Sequence, residues 1–120
     1  MPGHLTTHVL DTAHGRPAVG VAIELFRIDR ESGERERISL VRTNAEGRTD
    51  SPLLAGDDLT AGVYEIVFDV GDYYRTSGSA NADILFLDKV PVRFGISDPE
   101  AHYHIPLLTT PWSYTTYRGR

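Results

Sequence analysis

Apolar and polar residues alternate with a period of two along most of the chain, and Gly, Pro, Asn or Asp bounds each alternating run. Side chains two apart in an extended strand share a face, so this period predicts half-buried strands with their apolar set turned to a core. His4 to Asp11 is the first such run and stops at Gly15-Arg16-Pro17. Val19 to Asp29 follows, with Val21, Ile23, Leu25 and Arg27 alternating against Ala22, Glu24, Phe26 and Ile28. The charged tip Arg30-Glu31-Ser32-Gly33-Glu34-Arg35 reads as a solvated turn. Further strands are predicted at Arg37 to Thr43, around Arg48, at Gly62 to Val70, Lys89 to Ile96, Tyr103 to Thr110 and Ser113 to Gly119. Only Asp72 to Ala80 has room for a helix, and its Ser and Gly content makes it short.

About eight short strands without crossover helices predict an all-β protein, an antiparallel β-sandwich. A chain of 120 residues forms one such domain, spanning 1–120. A sandwich hosts many unrelated functions, so its activity has to be read from particular residues.

Composition removes several classes. Lys and Arg number 12 against 17 Asp and Glu, a net charge of -5 that argues against a sequence-blind grip on nucleic acid or an anionic membrane. With 0 cysteines there is no disulfide, thiolate metal cluster or cysteine nucleophile. The apolar runs are too short to span a bilayer. Met1 to His8 has neither the basic start nor the apolar core of a signal peptide, so a cytoplasmic location is expected.

Candidate chemistry lies with five histidines, His4, His8, His14, His102 and His104. His14 falls in a Gly- and Pro-bearing turn and reads as a solvated loop residue, while His4 sits at the chain start, where fraying is expected. His8 shares a face with Thr6 and Leu10, opposite Leu5 and Val9. His104 shares a face with His102, Pro106 and Leu108, opposite the apolar set Tyr103, Ile105 and Leu107. Parity alone leaves these outward histidines either solvated or functional. His102 and His104 have a spacing that could place two imidazoles on one metal, but a catalytic zinc normally needs three protein ligands. At the C-terminus, Thr115, Tyr117 and Gly119 share one face, and Tyr114, Thr116 and Arg118 the other.

The segments His8-Val9-Leu10-Asp11-Thr12 with Gly15-Arg16-Pro17-Ala18, Thr43 to Arg48, Asp69 to Tyr74, Phe94 to Ile96 with Asp98, His102 to Leu108, and Pro111 to Gly119 occur in an order and spacing that resemble the transthyretin-like proteins. The resemblance covers essentially the whole chain. At His8, Arg48, His104 and Tyr117-Arg118-Gly119 it is to the hydroxyisourate hydrolase branch. The carrier branch has lysine, glutamate and threonine at the first three of these positions. Arg120 departs from the enzyme branch, which typically has serine there.

This resemblance implies a homotetramer of sandwiches with ligand sites at the dimer-dimer interface. The channel-facing positions would be His8, Leu10, Arg48, His104, Pro106, Leu108, Thr115 and Tyr117. The implied reaction is hydrolysis of 5-hydroxyisourate to 2-oxo-4-hydroxy-4-carboxy-5-ureidoimidazoline, without cofactor or metal. His8, Arg48 and His104 would be catalytic; Tyr117, Arg118, Gly119, Thr115, Leu108 and Pro106 would bind substrate. The alternative is a small-molecule carrier without catalysis.

Overall fold

The structure is a computed structural model and describes residues 2–120. The chain runs through β1 (His4–Asp11), β2 (Arg16–Pro17), β3 (Ala22–Ile28), β4 (Arg35–Arg42), β5 (Leu54–Ala55), β6 (Gly62–Asp69), α1 (Val70–Thr76), β7 (Lys89–Ile96), β8 (Tyr103–Thr109) and β9 (Tyr114–Thr116). Strands β4-β3-β6-β7 form one sheet, all antiparallel. With β4-β3-β6-β7 as the second sheet, the first sheet, which holds β1, has the order β2-β1-β8-β9, with β5 also on β1. Leu5, Val9, Tyr103, Ile105 and Leu107 of this sheet are buried in one core with Ile23, Leu25, Tyr64, Ile66, Phe68 and Val90 of the other. The expected all-β sandwich is therefore the fold, with its two inner faces supplying the core. None of the helices among the described residues is long and apolar enough to cross a membrane.

One pairing departs from the antiparallel expectation: β1 and β8 run parallel, in the register Leu5↔Tyr103 through Asp11↔Thr109. Parallel neighbours need a long connection. Here the entire second sheet supplies it, which is why no crossover helix was needed. The helix also shifts from the expected span. Asp69 caps it by accepting from the Asp72 N–H at 3.2 Å, and it ends before Gly78, whose φ of 79° suits the residue that follows a helix.

The first sheet is built unevenly. One side of β1 pairs continuously with β8, while its other side is covered in three short pieces. Pro17 and Arg16 pair with its C-terminal end, Leu54 and Ala55 with its N-terminal end, and Arg48 bridges His8 between them. Neither two-residue strand was visible as a periodic pattern.

Candidate active site

Parity places His8 and Leu10 on the outer face of β1, since Leu5 and Val9 are fully buried on the inner one. The parallel register then sets Thr6 beside His104, His8 beside Pro106 and Leu10 beside Leu108. On the far side of β8, Leu108 pairs with Thr115, and an isolated bridge joins His104 to Gly119. The same register continued along the chain sets Tyr117 beside Pro106. His8, His104, Pro106, Leu108, Thr115, Tyr117 and Gly119 thus occupy one face of one sheet, and Arg48 joins it from the gap between β2 and β5.

A closed turn delivers Arg48. The Asn44 side chain accepts from the backbone N–H groups of Glu46 and Arg48 at 2.9 and 3.1 Å. The Val9 N–H donates to the Gly47 carbonyl at 2.8 Å and pins the turn to β1. Gly47 has φ 77°, and a Cβ there would meet the Val9 carbonyl oxygen at 2.4 Å and the His8 ring at 3.3 Å. Only glycine allows the turn to lie this close to His8.

Both imidazoles are oriented. His8 Nε2 lies 2.8 Å from the Glu46 carbonyl oxygen, an obligate acceptor, so Nε2 carries the hydrogen and Nδ1 of the neutral ring accepts. His104 Nδ1 lies 2.8 Å from Thr6 Oγ1, and its Nε2 has no hydrogen bond among the described residues. Burial, then the Arg48 guanidinium and then His8, hold the His104 pKa below the ordinary imidazole value. Those two electrostatic influences bring Arg48, His8 and His104 into one field. Among the described residues no carboxylate pairs with Arg48 and no group of three or more His, Asp or Glu side chains is arranged to hold a metal.

Two of the expected substrate-binding residues sit differently from the others. Arg118 lies on the opposite face, with its guanidinium 4.2 Å from the Tyr103 ring centroid and 3.4 Å from the His102 carbonyl oxygen. Within one chain it does not join the histidines. Gly119 acts through its backbone: its N–H donates to the His104 carbonyl at 2.6 Å, and a Cβ there would meet the His104 ring at 3.1 Å. Sequence reasoning placed Thr6 on the site face without a role, and it gave no role to the Glu46 carbonyl. The fixed offset of the β1–β8 register, which pairs Thr6 with His104, is not encoded in either strand alone.

His14 lies exposed in the turn, as expected of a loop residue, and it also donates from Nδ1 to Asp11 Oδ2 at 2.7 Å. Asp11 is fully buried at the end of β1, and the turn folds back over it.

The model of the HIUase/Transthyretin family matches residues 5–119. A 5-hydroxyisourate hydrolase from Ralstonia nicotianae is 56% identical over 117 residues, covering 98% of each chain. The solved structure of an (S)-allantoin synthase superposes with a TM-score of 0.92 at 42% identity; it matches 99% of this chain, which spans only 44% of that longer one. Sea bream transthyretin in complex with thyroxine superposes with a TM-score of 0.84 at 32% identity, covering 96% of this chain and 93% of that one.

Proposed function

This chain belongs to the HIUase/Transthyretin family, and from that membership we infer that it is an enzyme hydrolysing 5-hydroxyisourate, a step of purine breakdown. The observation that carries the mechanism is the convergence of His8, Arg48 and His104 on one outer sheet face. Water, with a pKa of about 15.7, attacks a ring carbonyl only when a base removes its proton. His104 is that base: its lowered pKa keeps it unprotonated at neutral pH. His8 offers Nδ1 as the acceptor that orients the water. The Arg48 guanidinium, always charged and not neutralised by a carboxylate, holds the carbonyl oxygen as it becomes an oxyanion. The ring C–N bond then breaks, and the His104 imidazolium returns its proton to the leaving nitrogen.

Pro106, Leu108, Thr115 and Tyr117 form the floor and rim on which the ring rests. Tyr117 is 58% exposed, so this face needs a cover to exclude water. In our reading a second copy supplies it, with four copies forming the homotetramer and each site lying between dimers; the cytoplasm is its setting. Arg118 and Gly119 then serve to hold the C-terminal segment over His104.

The decisive experiment follows the ultraviolet absorbance of freshly generated 5-hydroxyisourate with His8→Ala, Arg48→Ala and His104→Ala. Loss of at least a hundredfold in each is expected, and near-wild-type rates in all three would overturn the assignment. Light scattering checks the tetramer.

A further inference from the structure

Away from the histidine face, two side chains of the turn after β1, Asp11 and His14, form a hydrogen-bonded chain with Ser79, 65 residues further on. His14 Nδ1 lies 2.7 Å from Asp11 Oδ2, and His14 Nε2 lies 3.2 Å from Ser79 Oγ. The direction of these bonds follows from chemistry. Asp11 is buried, and its carboxylate accepts from the N–H groups of Ala13 and His14, the Tyr73 hydroxyl and His14 Nδ1, and shares the Tyr74 hydroxyl at 3.0 Å with the Thr109 carbonyl at 2.7 Å. Burial alone would raise its pKa, but the bonds from Tyr73, His14 and Tyr74 outweigh burial and keep the carboxyl below its ordinary value. A carboxylate only accepts, so Nδ1 of His14 carries the hydrogen. Nε2 of the neutral ring is then the acceptor; Ser77 Oγ lies 3.1 Å from both Ser79 Oγ and the Tyr74 carbonyl, and when Ser77 donates to Ser79 the Ser79 hydroxyl is free to donate to His14. This is the order of roles in a serine hydrolase: an activated hydroxyl, a base, and a buried acid that fixes the tautomer of the base.

The base is accessible and a groove adjoins the hydroxyl. The His14 side chain is 36% exposed while Asp11 is 0% exposed, so the base is reachable and its anchor is not. Ser79 itself lines a groove of about 330 Å³ whose walls include Tyr74, Leu85, Leu87, Pro111 and Trp112. A groove of mixed lining, with Leu85, Leu87, Pro111 and Trp112 as its apolar part, has room beside the hydroxyl for a short acyl chain.

We propose that Ser79, His14 and Asp11 form a second, covalent hydrolytic site that takes short-chain acyl esters with good leaving groups. In the forward step the Ser79 Oγ–acyl carbon bond forms and the ester C–O bond breaks. His14 takes the hydroxyl proton and passes it to the departing aryloxide. Water then repeats the step against the acyl-serine, releasing the carboxylic acid and regenerating the hydroxyl. The limit on leaving group comes from the backbone. The N–H groups of Ser79 and Ala80 both donate to the Tyr74 carbonyl, at 3.0 and 3.2 Å, so neither is available to an oxyanion. One such donor is worth about 10² to 10³ in rate, so ordinary alkyl esters lie beyond this site.

The test uses the whole protein with two probes, an alkyl fluorophosphonate and p-nitrophenyl butyrate. The probe phosphorus would bond to Ser79 Oγ with loss of fluoride. We expect one label per chain, located on the Ser79 peptide by mass spectrometry, absent in Ser79→Ala and at least tenfold slower in His14→Gln. Release of p-nitrophenol should fall in parallel. Both variants should retain turnover of 5-hydroxyisourate, which reports on folding and on a face that uses neither residue. Wild-type protein without label on Ser79, or labelling equally fast in His14→Gln, would overturn the proposal and leave the chain of bonds as a tie between β1 and α1.

Discussion

On the outer face of the second sheet, Glu65 of β6 is flanked by Arg35 and Arg93, each at 3.2 Å, and Arg37 pairs with Glu24 at 3.3 Å. Arg35 also lies 4.1 Å from the centroid of Phe26, which packs with Ile28 and Val67. On the outer face of the first sheet, Arg48 has no carboxylate partner among the described residues, and His104 Nε2 has no hydrogen bond. Both faces arise from the same alternation of apolar and polar positions. What separates them is whether charge and hydrogen-bonding capacity are used up internally or left for a ligand. Exposed charge identifies neither face as a site; unspent charge beside a fixed imidazole does.

The comparison breaks most visibly at Arg48. Arg48→Gln should lower kcat/KM by about 10² to 10³ if, as proposed, its charge faces the oxyanion, while the urea midpoint stays near wild type. Gly119→Ala tests whether backbone proximity holds the catalytic ring. The added methyl must push His104, so turnover should fall about tenfold with secondary structure intact by circular dichroism. Glu65→Gln should do the reverse. It leaves two guanidiniums facing each other and should cost about 1–3 kcal/mol in urea unfolding, with turnover per folded chain unchanged.

Smaller, but more diagnostic, is the pH dependence. His104 is held below its unfolded value of about 6.5, so between the two values the folded state binds fewer protons than the unfolded chain. Its contribution to stability is therefore full above about pH 6.5 and is lost as pH falls through the folded pKa. The acid limb of kcat/KM should lie below about 6.5 in the wild type. In Arg48→Gln that limb should move to higher pH on the residual activity, since a neighbouring positive charge is gone. An unmoved limb would assign it to another group.

Much of the site face was legible because a strand has only two sides. Buried Leu5 and Val9 force His8 outward, and buried Tyr103, Ile105 and Leu107 do the same for His104. The identity of its neighbours was not, because register between strands is a property of the pair. Thr6 meets His104 across 98 residues, and no local pattern at either end announces it. Gly119 was read as a ligand-binding position, when its lack of a side chain is what the His104 ring requires. The bond from exposed His14 to Asp11 was illegible for a related reason: a turn of Gly and Pro gives no sign of the aspartate that Tyr73 and Tyr74 of α1 bury beside it.

The parallel β1–β8 pair also sets an order of events as the chain folds. The second sheet closes short loops, such as the separation of 13 positions from Glu24 to Arg37, while Thr6 and His104 must meet across a separation of 98. By the logarithmic growth of loop entropy, the longer closure costs about 1.8 kcal/mol more before any second-sheet structure shortens the path. Once that sheet has formed, it brings the two ends together at little further entropic cost. Strands β8 and β9 are the last to be made, so His8 of β1 meets His104 only after the C-terminal segment has emerged. In the reading proposed above, the site is therefore the last part of the molecule completed in synthesis and the first that loss of these strands would remove.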